Sequence, residues 1–268
     1  MKKILIFLIL SSMFMLISCS GGASNPNDIV ITGSSSVSPL MFKLAAKFEE
    51  LNPDYTVIVE TSDSTIGIQD TVNGNNNIGM ASRNLKEDEL SGLDTYLLCQ
   101  DGIVIIANKD ADISQISEEE LYNLYMMNTA VNGITKSISR EDGSGTRSAF
   151  TDLTLIGKDN PLPSTVEILD ATGKVKTSIM SDASKIGYIS LGSIDDTIKP
   201  LAYKAKGQNE YVTASVENIQ NNSYKLYRPF YIFTKKGIEL DAGTKAFLNF
   251  INSETGKTVI NENGYVAS

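Results

Sequence analysis

A three-part pattern recurs near the start of this chain and fixes its fold class: an apolar run, a hydroxyl-rich turn, then apolar residues at helical spacing. Ile29-Val30-Ile31 leads into Thr32-Gly33-Ser34-Ser35-Ser36, after which Leu40, Leu44, Phe48 and Leu51 share one helical face until Asn52-Pro53 stops it. Val57-Ile58-Val59 then leads into the loop Thr61 to Thr65 and a helix from Ile66 to Val72 that ends at Asn73-Gly74. Ile78 to Ala81 closes on Ser82-Arg83. Strands separated by helices pair in parallel, because a parallel neighbour is reached only by a crossover, so the expectation is an α/β sheet. Such sheets bind ligands outside the carboxyl ends of their strands, and three polar strand ends in succession mark one edge as a candidate site.

A fourth loop carries more chemistry. Between Ser139 and Arg147 the chain reads Ser-Arg-Glu-Asp-Gly-Ser-Gly-Thr-Arg, with Ile138 ending a strand-like run before it and Ala149, Phe150 and Leu153 opening a helix after it. Backbone N–H groups of Ser144, Gly145 and Thr146 then stand at a helix N-terminus, where no carbonyl pairs with them and the dipole favours negative charge. Two glycines let that backbone come close to a ligand, Ser144 and Thr146 add hydroxyls, and Arg140 adds a planar fork suited to a tetrahedral anion. Asp142 is placed to hold Arg140. Taken alone, the segment reads equally as a polar turn capping a core helix; four such loops on one edge point to an oxyanion site.

Further along, Gly102 to Ala107 reads as a buried strand and Ser117 to Met127 as a helix capped by Ser117, with Glu118, Glu119 and Glu120 complementing its dipole on a solvated face. Ile186 to Ser190 and Phe230 to Phe233 are further strands. Asp241 to Asn252 is a helix with Ala246, Phe247, Phe250 and Ile251 as its apolar set, and a last short helix precedes Gly264-Tyr265.

The N-terminus is of another kind. Lys2 and Lys3 precede an apolar stretch, and Leu16-Ile17-Ser18-Cys19 has the form of a lipoprotein processing site. Residues 1–18 are read as a signal peptide, Cys19 as the acylated mature N-terminus and residues 19–27 as a flexible tether. Two or more acyl chains hold a protein on a bilayer without spanning it, so the expected location is the periplasm or the outer face of the cytoplasmic membrane. With Cys19 acylated, Cys99 has no partner for a disulfide, and stability rests on the core of a chain that is 41% apolar.

Charge and composition exclude whole classes. The formal charge of −9 becomes −11 once Lys2 and Lys3 leave with the signal, which argues against nucleic acid as a partner. An acidic protein that holds an anion must do so with local dipoles and one or two arginines. There is no histidine, which removes Ser-His-Asp and Cys-His catalysis and most zinc sites. Ser-x-x-Lys and Gly-x-Ser-x-Gly are both missing, and Gly256-Lys257-Thr258 has Ile251 where a phosphate loop needs its first glycine. The reading is of a binding protein with no metal and no cofactor, not an enzyme.

The chain resembles the phosphate-binding proteins of bacterial ABC phosphate importers, the PstS-type solute-binding lipoproteins of the type II periplasmic-binding-protein class. The resemblance runs from about Ile29 to the C-terminus. It rests on Gly33-Ser34-Ser35-Ser36-Val37-Ser38-Pro39-Leu40, Ser64-Thr65-Ile66-Gly67-Ile68, Ile78-Gly79-Met80-Ala81-Ser82-Arg83, Arg140-Glu141-Asp142-Gly143-Ser144-Gly145-Thr146, Ile186-Gly187-Tyr188 and Phe247-Leu248-Asn249-Phe250 with Gly264-Tyr265. It implies two α/β lobes joined by two crossing segments that act as a hinge, with the ligand in the cleft between them. The crossings are expected near Asp101 to Val104 and near Tyr224 to Pro229, so that residues 28–104 and 227–268 form lobe one and residues 105–226 form lobe two. It also implies a monomer that captures inorganic phosphate and delivers it to the permease subunits of an ABC importer.

Carried over position by position, the resemblance places Ser35, Ser36, Ser64 and Ser82 on the anion from lobe one. Arg140, Ser144, Gly145 and Thr146 contact it from lobe two, with Asp142 bracing Arg140. Where some family members carry an Asp that accepts the proton of hydrogen phosphate, this chain has Ser82 followed by Arg83. Asp63, Glu141 or the Ser82 hydroxyl could supply the acceptor. Sulfate or molybdate stays open as the cargo, and so does an adhesive or structural role for a surface lipoprotein.

Overall fold

A computed structural model gives the fold and describes residues 27–268. The expected signal peptide, the acylated Cys19 and the tether as far as Pro26 lie outside the described residues. The recurring pattern forms β1 (Asp28–Ser34), α1 (Ser38–Leu51), β2 (Thr56–Ser62), α2 (Ser64–Asn73) and β3 (Ile78–Ala81). β1 pairs in parallel with both β2 and β3, so the carboxyl ends of all three open on one edge. A single turn, α3 (Glu87–Leu90), leads into β4 (Leu93–Asn108). Only the second half of β4 reads as a strand in sequence, because Asp94, Gln100 and Asp101 interrupt the apolar run before it.

After β4 come β5 (Gln115–Ser117), α4 (Glu118–Met126), β6 (Lys136–Arg140), α5 (Gly145–Leu153), β7 (Glu167–Leu169), α6 (Thr172–Ser181) and β8 (Lys185–Ser190). β9 (Ile198–Pro200), β10 (Ala202–Lys204), α7 (Val216–Gln220), β11 (Tyr227–Lys235), α8 (Ala242–Ile251), α9 (Glu254–Glu262) and β12 (Val266–Ala267) complete the chain. The main sheet runs β2-β1-β3-β11-β4-β8-β6-β7, with β9 and β12 also on β4, while β5 and β10 pair separately. β4 is shared by two half-sheets: Leu93 to Gly102 pair with β11, and Ile103 to Ala107 pair with β8. β6 lies parallel to both β7 and β8, which gives the second half-sheet its own edge of carboxyl ends.

The two largest of the four apolar cores among the described residues follow that division. Ile29, Leu40, Leu44, Phe48, Cys99, Phe230, Phe247 and Tyr265 pack in one, with Phe48 edge-on to Phe247 at 5.0 Å between ring centroids. Ile103, Ile105, Leu121, Tyr125, Phe150, Ile186, Tyr188 and Tyr224 pack in the other. Membership changes between Cys99 and Ile103 on β4 and between Leu226 and Phe230 at β11. Each fully buried Leu, Ile or Phe contributes about 1.5–3 kcal/mol, so each core holds its own half together. The result is a two-lobed α/β fold.

One expectation on α4 is corrected. Glu118 is buried, and its carboxylate accepts from the backbone N–H of Leu155 at 2.9 Å and from that of Lys206. It therefore pins two loops instead of facing solvent, while Glu120 forms the capping box with Ser117. No helix among the described residues is long and apolar enough to cross a membrane.

Candidate functional site

Five strand ends converge between the lobes. The turns after β1, β2 and β3 bring Ser35 and Ser36, Ser64, and Ser82; the turns after β6 and β7 bring Arg140 to Thr146 and Thr172. Ser35, Ser36, Ser64, Ser82, Arg140, Ser144, Thr146 and Thr172 are all buried.

Arg140 is fixed from the core outward. It ends β6, where the Tyr188 hydroxyl accepts from its N–H at 3.4 Å and hydrogen-bonds Ser139 Oγ at 2.6 Å. The Tyr188 ring stacks on Phe150 of α5 with 3.9 Å between centroids, and burial pushes the Tyr188 phenol up, so it keeps its proton. The Arg140 guanidinium meets Glu141 fork to fork, Nε on Oε2 at 2.9 Å and Nη2 on Oε1 at 2.8 Å, and Nε also reaches the Leu169 carbonyl at 3.2 Å. Its remaining edge faces the seam between the lobes. Nη2 donates to Ser35 Oγ at 2.9 Å and Nη1 to Thr172 Oγ1 at 3.3 Å.

The expected bracing of Arg140 by Asp142 is corrected by this geometry. Asp142 lies one residue deeper in the turn, 92% exposed at its side chain, and pairs with Arg147 at 2.5 Å. Glu141 follows the strand end directly, and its longer side chain folds back to lay both oxygens along the guanidinium.

Glycines let the lobes touch. A Cβ on Gly145 would overlap Ser64 Oγ and lie 2.7 Å from Ser82 Oγ, and one on Gly143 would overlap the Asp63 carboxylate. The Gly143 carbonyl instead accepts from the Thr65 N–H at 3.3 Å and hydroxyl at 3.2 Å. Across the same seam Ser36 Oγ lies 2.7 Å from Thr146 Oγ1 and 3.2 Å from Thr172 Oγ1. Within lobe one, Ser34 Oγ donates to Ser82 Oγ at 2.8 Å and Ser64 Oγ accepts from the Ser82 N–H at 3.1 Å.

The Ser144 N–H, expected to face a ligand, is used internally and donates to the Glu141 carbonyl at 3.1 Å; the Ser36 N–H likewise donates to Ser34 Oγ at 3.3 Å. Those of Gly145 and Thr146 stand in the first turn of α5, with no earlier helical carbonyl to take them. Ser144 caps that helix by accepting from the Arg147 N–H at 3.3 Å.

Every carboxylate in these loops has a partner. Asp63 caps α2 through the Ile66 N–H at 2.8 Å, Glu141 holds Arg140, and Asp142 holds Arg147. Arg83 is paired fork to fork with Glu89, with contacts of 2.7 and 2.8 Å, and its Nη2 also lies 3.5 Å from Thr65 Oγ1. What faces across the seam is one guanidinium edge, hydroxyls and helix N-terminal N–H groups, a donor set for a compact anion with several oxygens. Among the described residues no cluster of His, Cys, Asp and Glu comes together to hold a metal.

Thr172 escapes the sequence reading. Asp170-Ala171-Thr172-Gly173 is a small, hydroxyl-bearing strand-end turn like the other four, but β7 before it is only three residues long and leaves no visible apolar run.

Comparison with known proteins gives a consistent result. A family model described as a PBP superfamily domain matches residues 20–255. A solved structure from Clostridium perfringens, described as a putative phosphate ABC transporter substrate-binding protein with bound phosphate, aligns with a TM-score of 0.83 at 31% identity, covering 90% of this chain and 100% of that one. An ABC-type phosphate transport receptor from Vibrio cholerae aligns with a TM-score of 0.69 at 30% identity over the same shares. Phosphate-binding protein PstS 2 of Streptococcus agalactiae is 40% identical over 141 residues, which are 50% of this chain and 46% of that protein, so the match spans about half the length of this relative. Phosphate-binding protein PstS of Borreliella burgdorferi is 25% identical over 289 residues, 99% of each chain. The chain belongs to the PBP superfamily, and the members it resembles there are PstS-type substrate-binding proteins.

Proposed function

We propose that this protein is a lipid-anchored, monomeric receptor that captures inorganic phosphate outside the cytoplasmic membrane and delivers it to the permease subunits of an ABC importer. The observation that carries the reading is the Arg140 fork, held on one side by Glu141 and presenting its other edge to Ser35 and Thr172 at the seam between lobes. An entering tetrahedral anion replaces the hydroxyl contacts on that edge and takes further donors from Ser36, Ser64, Ser82, Ser144, Gly145 and Thr146. Each hydrogen bond to a charged partner is worth about 1.5–3 kcal/mol, and exclusion of water strengthens the set. The hinge lies at Asp101 and Arg228, inside the two expected crossings, so lobe one leaves off near Asp101 and resumes near Arg228, and closure signals a loaded receptor to the importer. Such a protein binds and releases its cargo unchanged and is not an enzyme. Cys19 carries the lipid.

A second reading has its own support. Asp63 and Glu141 are both engaged, and only hydroxyls are left to accept a proton from the anion. A site without a free carboxylate has little to set against fully ionised sulfate. Calorimetric titration of the full chain with phosphate and, separately, sulfate at neutral pH tests both. Tight phosphate binding with weak sulfate binding supports the phosphate receptor, comparable binding makes the protein a general oxyanion receptor, and no binding of either removes the transport reading.

A further inference from the structure

We propose that Thr172 is a direct ligand contact of the anion site, the lobe-two counterpart of Ser35 in lobe one. The inference rests on the receptor reading above and assigns a residue that neither the recurring sequence pattern nor the family motifs single out. The guanidinium of Arg140 has five N–H donors. Three are accounted for by Glu141, Leu169 and Ser35: the Nε proton is shared between Glu141 and Leu169, and the two Nη2 protons go to Glu141 and Ser35. Nη1 points at Thr172 Oγ1 and carries a second proton beyond it. The edge that bears Nη1 and Nη2, the one a tetrahedral anion grips, is therefore flanked by one hydroxyl at each end.

The two flanking hydroxyls are near one another as well: Thr172 Oγ1 lies 3.5 Å from Ser35 Oγ and 3.2 Å from Ser36 Oγ, across the seam. An anion seated on the fork places an oxygen beside each, so Ser35 and Thr172 close on the same ligand from opposite lobes. Thr172 is buried and opens α6, whose N-cap Ala171 has no side chain that can accept from the first turn. The helices α2, α4, α5, α8 and α9 all carry a side-chain cap. At α6 the Lys174 N–H turns back to the Ala171 carbonyl at 3.1 Å, and the N–H groups of Thr172 and Gly173, which have no earlier helical carbonyl, are left for the ligand alongside the hydroxyl.

The test is the phosphate affinity of the full chain as wild type, Thr172→Val, Thr172→Ser and Thr172→Ala, each with its ligand-free melting temperature. The expected result is a loss of about 10- to 100-fold for the valine and alanine variants, recovery to within about 3-fold for the serine variant, and ligand-free melting close to wild type for all three. Valine and alanine variants that bind as wild type does overturn the proposal, and so does a serine variant that fails to restore affinity. A wild-type chain that binds no phosphate overturns the receptor reading and this inference together, whereas failure of Thr172 alone leaves the receptor reading standing.

Discussion

Asp101 on β4 grips Arg228 on β11, with Oδ2 at 3.0 Å from Nη2 and 3.2 Å from Nε, at the point where both strands pass from one core to the other. Its second oxygen accepts from the Ser190 hydroxyl at 2.7 Å and the Leu191 N–H at 3.2 Å, at the end of β8. One carboxylate thus joins both linking strands to the second half-sheet. Burial pushes Asp101 up to about 6 despite the attraction of Arg228. An ordinary carboxylate titrates near 4, so between about pH 4 and 6 the native protein holds a proton that the unfolded chain has lost. The contribution of this group to stability falls as pH rises through that window and is level above it.

Arg228→Met leaves that carboxylate buried without its cation. The expected loss at pH 7 is about 3–5 kcal/mol by urea unfolding. Without Arg228 the Asp101 carboxyl titrates higher still, so the deficit narrows as pH is lowered from 8 to 5. A deficit that stays constant over that range would contradict the account.

The Arg140 loop separates two acids that look alike in sequence. Arg140→Ala removes the charge and the fork and is expected to weaken phosphate binding by more than about 100-fold. Asp142→Ala touches only an exposed pair with Arg147 and is expected to stay within about 3-fold of wild type. Titration calorimetry of both variants checks the assignment, which fails if Asp142 proves the more sensitive.

Gly145→Ala puts a methyl group against Ser64 and Ser82 of the opposite lobe. Because the overlap lies on the seam and not within a core, opening the lobes relieves it. Phosphate affinity is expected to fall about 10- to 100-fold, with unfolding free energy within about 1 kcal/mol of wild type. Equal losses in both measurements would place Gly145 in the folding of its own lobe instead.

Phe150→Ala removes the ring stacked on Tyr188 and is expected to cost about 3–5 kcal/mol of stability, read from denaturant midpoints. Since Tyr188 holds the end of β6, a weaker grip on phosphate should accompany it.

Much of this was legible in the chain. The repeated strand, hydroxyl turn and helix from Ile29 to Arg83 show the parallel half-sheet, because apolar runs and helical spacing are local signals. The Gly143-Ser144-Gly145 turn showed a close approach, but only the folded chain shows that it is Ser64, Ser82 and Asp63 that come close. Which acid holds Arg140 depends on where a turn points its side chains, and spacing does not encode that. β7 and the Thr172 turn were invisible because three residues, two of them exposed, carry no periodicity, and Glu118 looked solvated because its partners, Leu155 and Lys206, are distant in sequence.

The structure of the phosphate-soaked protein bears most directly on the central claim. The account requires tetrahedral density on the Nη1–Nη2 edge of Arg140, within about 2.7–3.1 Å of those nitrogens and of the Ser35 and Thr146 hydroxyls. Density elsewhere, or a seam unchanged at saturating phosphate, would contradict it.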